Sequence, residues 1–234
     1  MNPYIKVGAA IAAVLIVAVV GWNLLPGSSS LVGGPGPTPS PSPSASPPEL
    51  PAGNLTPGDY IARAGQDDRM AFTVTVPEGW TGFGGWALSG PRGSNGPAGS
   101  GIAVLHGPLV SVDPCDPAAR TPSPAPGVRT VDDVVADLSA RGDLHPSGVT
   151  PSVLGGYAGT RLDLQMPAEA PCSEYYVFAE PQGFYSQGAS NRWRVWVVDA
   201  DGETAVVVLS DFPGTSVADH AAAQAVIDSV RISP

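Results

Sequence analysis

The sequence predicts an α+β domain: an α/β/α sandwich with a mostly antiparallel sheet, preceded by one transmembrane helix and a Pro/Ser-rich linker. Three observations predict it. Residues 7–25 are an uncharged apolar run, residues 26–53 are dominated by Pro, Ser and Gly, and from Asn54 onward short strand-like segments outnumber two amphipathic helices. Strands grouped together, with few helices set between them, mark the α+β class.

The apolar run reads VGAAIAAVLIVAVVGWNLL. Its 19 residues span about 28 Å as a helix, close to the ~30 Å hydrocarbon core of a bilayer. Lys6 and the amino terminus place positive charge before it, and no Lys or Arg follows until Arg63. The positive-inside rule then leaves residues 1–6 as a cytoplasmic stub and everything after Leu25 outside. A signal anchor is therefore expected at the cell membrane, single-pass, with the C-terminal domain extracytoplasmic. A cleaved signal peptide is the alternative, although no A-x-A-like site occurs near Pro26–Gly34. A buried core helix fits poorly, because the run is apolar all round. Residues 26–53 (PGSSSLVGGPGPTPSPSPSASPPELPAG) hold too little apolar surface to offset chain entropy, so a disordered spacer with polyproline II character is expected.

The globular region, 54–234, begins with alternation. In Ala71–Val76, Phe72, Val74 and Val76 share one face and Thr73 and Thr75 the other, the pattern of a half-buried strand. Pro77-Glu78-Gly79-Trp80 is turn chemistry, and a glycine-rich strand follows through Trp86 and Leu88. Ser89–Ser100 has loop composition, Ile102–His106 is a short strand and Leu109–Val112 a further candidate. Thr130–Arg141 is the clearest helix. Val131, Val134, Val135 and Leu138 recur at helical spacing, Thr130 caps, Asp132 and Asp133 suit the first turn, and Gly142 is the expected stop.

Thr150–Leu154 and Tyr157–Met166 form a pair of strands around Gly155-Gly156, and Glu174–Ala179 is another strand. Trp193–Val198 and Thr204–Leu209 are nearly continuous apolar runs joined at Asp201-Gly202, a strong hairpin signal. Apolar residues on both faces predict central strands covered on both sides. Ser216 caps a last helix, with Val217, Ala221, Ala225, Val226 and Val230 as its apolar stripe.

Charge narrows the function classes. With 11 basic against 21 acidic side chains, the chain lacks the basic footprint of a nucleic-acid binder. Lys6 is the only lysine, so no lysine of the domain can act in catalysis. Neither G-x-S-x-G, H-E-x-x-H, a P-loop nor G-x-G-x-x-G occurs in the globular part, and no cofactor or metal is expected. Asp199-Ala200-Asp201-Gly202-Glu203 resembles the start of a calcium loop, but its twelfth position is Ser210, so a hairpin turn accounts for it better. Asp113-Pro-Cys-Asp116 likewise reads as a turn rather than an ion site. The two cysteines, Cys115 and Cys172, lie beyond the membrane run, where a disulfide is the expected state. Trp86, Phe184, Tyr185 and Trp193 are candidates for a binding surface, against the plainer alternative that they pack the core, and Gln182–Asn191 is the loop where a binding face would be sought.

LTPGDY, FTVTVPEGW, VDPCD, TVDDVVADL, GGYAGTRLDL, WVVDADGETAVVVLSDFPGTS and IDSVRI, spread over Leu55–Ile232, together resemble a set of membrane-tethered extracytoplasmic domains of high-GC Gram-positive bacteria. The resemblance implies a PsbP-like sandwich of the kind shared with LpqN-type lipoproteins, a fold group that is mainly non-catalytic. No catalytic residue carries over. Two departures stand out: the chain has no lipobox Cys, and only about six residues precede the membrane run. Signalling across the membrane would therefore need a partner subunit. The expectation is a non-enzymatic, anchored domain that binds a ligand or protein partner outside the cell, in a sensory or envelope-associated accessory role. The alternatives are an envelope hydrolase with a triad gathered from distant residues, or a purely structural subunit of a membrane complex.

Overall fold

The computed structural model describes residues 46–63, 69–92, 99–116, 118–119, 129–180, 183–186 and 188–234, all within one unit, Ala45–Pro234. Residues 7–25, read as the anchor, and residues 26–45 of the linker lie outside the described residues. Among the described residues no helix is long and apolar enough to cross a membrane.

In chain order the strands are β1 (Gly53–Asn54), β2 (Gly58–Arg63), β3 (Ala71–Val76), β4 (Thr81–Phe83), β5 (Ala87–Ser89), β6 (Ser100–His106) and β7 (Leu109–Val110). Helix α1 (Val131–Ala140) follows, then β8 (Ser147–Leu154), β9 (Tyr157–Gln165), β10 (Tyr175–Glu180), β11 (Phe184–Ser186), β12 (Arg192–Ala200) and β13 (Glu203–Asp211). Helix α2 (Val217–Asp228) and β14 (Arg231–Ser233) close the chain. One sheet of eight strands runs β1-β4-β5-β6-β13-β12-β9-β8, antiparallel throughout. Two sheets of three, β11-β10-β7 and β14-β3-β2, are also antiparallel.

The large sheet is buried on both faces, and β12 shows how. Trp193, Val195 and Val197 enter one core with Val134 and Leu138 of α1 and Val177 and Phe178 of β10. Trp196, Val198 and Ala200 enter the other with Val226 and Ile227 of α2 and Phe72 and Val74 of β3. Each outer layer is thus one helix beside one small sheet, not helices alone. Helices of ten and twelve residues are about 15–18 Å long, whereas eight strands are roughly 38 Å across, so the small sheets cover what the helices leave open.

Local signals place most elements correctly. Thr130 and Asp133 form a reciprocal capping box on α1. Its end differs from expectation: Arg141 is the cap, and Gly142 opens a 3₁₀ turn, Gly142–Leu144. Asp201 and Gly202 both take positive φ (56° and 91°), as the β12–β13 turn requires.

Two further expectations are corrected. The folded unit starts before Asn54: Leu50 is 3% exposed, its N–H donates to Ile61 O at 2.7 Å, and Ile61 N–H donates to Pro48 O at 2.8 Å. Proline-rich composition hid a segment that seats itself along β2. The stripe of α2 is also rotated. Val217 is 88% exposed and Ala221 and Ala225 are exposed, while Ala223, Val226, Ile227 and Val230 are buried. An alanine-rich helix carries too little apolar contrast to fix its own buried face. Strands β2 and β14, absent from the sequence reading, are held by β3.

Candidate functional site

Strand register assembles a polar corner at one end of the large sheet. Arg192 of β12 stands opposite Gln165 of β9 and Asp211 of β13, and Asp211 stands opposite Ser100 of β6. Two residues along, Arg194 stands opposite Asp163 and Leu209. Side chains two apart share a face, so both arginines lie on the side of Trp196, Val198 and α2. The apolar stripe of β12 gives way to charge where the first turn of α2 begins.

A groove of about 780 Å³ opens there. Its walls come from Gln165 at the end of β9 and Met166–Ala168 after it, the arginines of β12, Asp211–Pro213 at the end of β13, and Thr215, Ser216, Val217 and His220 at the α2 entry. His145 and Ser190 complete it. Both have positive φ (43° and 55°): His145 caps the Gly142–Leu144 turn and Ser190 lies in the turn before β12.

Hydrogen bonds order most of the polar lining. His220 Nδ1 lies 2.5 Å from Asp211 Oδ2, and Ser100 Oγ donates to Asp211 Oδ1 at 2.5 Å. Serine and histidine therefore face one shared carboxylate, not each other, which differs from the serine–histidine–carboxylate order of a hydrolytic relay. Arg194 is held by Asp163 (Nε to Oδ1, 3.3 Å) and by Gln224 of α2 (Nη1 to Oε1, 3.1 Å). Gln165 Nε2 donates to Ser190 O at 2.8 Å, fixing that loop over the sheet.

The aromatic candidates sit elsewhere. Trp193 is 1% exposed, stacked on Phe184 with ring centroids 4.7 Å apart, and Phe184 meets Trp86 edge-on at 5.3 Å. Trp193 is a core residue and is withdrawn as a surface residue. Trp86 and Phe184 are half-buried against the same core. The side chain of Tyr185 lies outside the described residues. Three residues of the Gln182–Asn191 loop, Phe184–Ser186, form β11 and pair with β10.

Cys115 and Cys172 are joined, with 5.7 Å between their Cα atoms. The carboxylates that suggested ion sites have local partners. Asp113 accepts from Cys115 N–H, Asp116 from Ala118 N–H and Asp199 from Gly202 N–H, while Asp201 accepts from the Tyr157 hydroxyl and Glu203 meets His106.

Beside the disulfide, buried Arg141 pairs with Asp143 through two nitrogens (2.8 and 2.6 Å), donates to Ser111 O at 2.5 Å and ties α1 to β7 and β10. Tyr175 donates to the same carboxylate. Burial alone would raise the Asp143 pKa, but the bonds from Arg141 and Tyr175 outweigh it and hold it below the ordinary 3.8. This contribution is present above that value and fades as pH falls through the lower, folded one. Tyr175 is pushed up to about 12, first by burial and then by the Asp143 carboxylate. A raised pKa keeps its contribution whole below the unfolded value near 10 and loses it as pH rises towards 12. Alkaline titration should therefore show one tyrosine ionising late, together with unfolding, by tyrosinate absorbance. In Tyr175→Phe that late step should be missing.

Sequence reasoning missed the groove. The usable signal was the R-W-R opening of the β12 run together with Asp163 and Gln165 alternating on β9. Reading it required the knowledge that those two strands are neighbours.

These observations define an α+β domain of three layers with one disulfide and an open groove, lined by both polar and apolar side chains, at the sheet end. No protein-family model matches the sequence, and no curated protein matches it. Among solved structures it is similar to LpqN, involved in cell envelope biogenesis of Mycobacterium tuberculosis, at 13% identity and a TM-score of 0.41, covering 75% of this chain and 91% of that one. It is also similar to a protein of Bacteroides thetaiotaomicron VPI-5482 at 12% identity and a TM-score of 0.35, covering 70% of this chain and 45% of that one.

Proposed function

We propose that the chain is a membrane-anchored, extracytoplasmic, non-catalytic domain that binds a ligand or protein partner at the cell envelope, in a sensory or accessory role. The groove supports binding: it is concave and rimmed by polar side chains held in place by hydrogen bonds. The paired cysteines support the location, because disulfides persist where thiols are not kept reduced. The apolar run 7–25 and the absence of basic residues until Arg63 support the orientation.

Labelling with a membrane-impermeant thiol reagent tests the location. In intact cells making the full chain, Cys115 and Cys172 should be labelled only after mild reduction, and the labelled chain should stay with the membrane through an alkaline wash. Labelling without reduction, or only after lysis, would overturn the reading.

The Asp211–His220 pair supports a second reading, a hydrolase. It predicts that an activity-based serine probe reacts with the full chain in a manner lost in His220→Ala. Absence of such labelling favours the binding domain.

A further inference from the structure

We infer that the groove binds a small ligand through a phosphate or carboxylate group, with Arg192 as the main contact. The inference deepens the binding reading above and rests on it. The chain is acidic, with a formal charge of −10, and each cationic side chain it keeps is scarce. Two arginines, Arg192 and Arg194, nevertheless line this one groove, against a single lining carboxylate, Asp211.

The partners decide which charge is available. Asp211 has one oxygen on Ser100 and the other on His220, at 2.5 Å each. Arg192 stands opposite Asp211 in the sheet yet forms no ion pair with it. Among the described residues its guanidinium has no partner at all, and it is exposed to solvent. Arg194 is the complement. Asp163 and Gln224 hold its Nε and Nη1, leaving Nη2 without a partner among the described residues.

A free guanidinium beside an oriented one suits an oxyanion, which accepts two parallel N–H bonds from a single planar fork. The first turn of α2 borders the same groove with its partial positive charge, and the carboxylate in that turn, Asp219, is engaged by Ser216 Oγ at 2.7 Å and by Arg92 at 3.3 Å. A neutral ligand could accept hydrogen bonds from Arg192 but would leave its charge uncompensated. A cationic one would meet it in place of the Asp211 carboxylate, which is already engaged.

The full chain in detergent micelles, at low salt and free of phosphate buffer, is titrated calorimetrically with inorganic phosphate, pyrophosphate and citrate. Arg192→Gln, Arg192→Glu and the remote Arg231→Gln are titrated alongside. Arg231 pairs with Asp59 on the β2–β14 side and serves as the control for total charge. The inference expects at least one probe to bind, with affinity reduced about tenfold or more in both Arg192 variants and unchanged in Arg231→Gln. Binding should weaken as salt is raised.

Preference for pyrophosphate over citrate assigns a phosphate-bearing ligand, and the reverse a carboxylate-bearing one. Equal affinity in wild type and both Arg192 variants overturns the inference. So does the absence of binding by all three probes in protein whose circular dichroism is native. Neither result alters the thiol labelling, so failure here is distinguishable from failure of the extracytoplasmic reading. Because Arg192 is exposed, its substitution is expected to leave folding intact.

Discussion

Loss of the Cys115–Cys172 bridge is expected to lower the unfolding free energy of the globular unit by up to about 4 kcal/mol, the chain-entropy value for cysteines 57 residues apart. At about 2–4 °C per kcal/mol for a domain of this size, the thermal midpoint should fall by roughly 8–16 °C. The closed loop contains α1, β8 and β9, so in the unfolded chain the link restrains a large part of the fold. In the native state it fastens the turn after β7 to the segment before β10, where Tyr176 N–H also donates to Pro114 O at 2.8 Å. Denaturant unfolding of the full chain, followed by tryptophan fluorescence, checks this with the Cys115→Ser/Cys172→Ser variant against oxidised protein. A loss below about 1 kcal/mol would mean that the neighbouring hydrogen bonds and the Arg141–Asp143–Tyr175 network hold the two segments without the bridge.

Trp193→Ala should cost about 3–5 kcal/mol, through lost burial and the cavity left behind. Trp193 is 1% exposed and packs on both Phe184, at 4.7 Å, and Phe178, at 6.5 Å, so the large sheet meets the β11-β10-β7 sheet at its ring. Its indole Nε1 is buried with no hydrogen-bond partner among the described residues. Trp193→Phe is therefore expected to be far milder, because it keeps an aromatic ring and removes a donor that is costly to leave unpaired. Equilibrium unfolding of the two variants measures the contrast. Equal and large losses would place the energy in the indole as a whole. An undisturbed Trp193→Ala that had lost ligand binding would restore this residue to a binding surface.

Elements specified by near neighbours were legible. The capping box of α1 needs only Thr130 and Asp133, and the β12–β13 hairpin only Asp201 and Gly202 between two apolar runs. The alternation of Phe72, Val74 and Val76 likewise predicts β3 and its buried face without reference to anything distant. Two cysteines beyond an apolar run were enough to expect their pairing.

What the sequence by itself determined is a strongly acidic α+β chain with an apolar run at residues 7–25, a capped helix, a central hairpin apolar on both faces and one pair of cysteines. The tertiary structure alone decided which face of α2 is buried, that Leu50 belongs to the core, and that Gln165, Arg192, Asp211 and Ser100 lie in one row. That row draws one residue from each of four strands, and the cross-strand neighbours of Arg192 are set by strand order and register, which are non-local. Local periodicity shows which way a side chain points from its own strand. Only packing shows what it meets there.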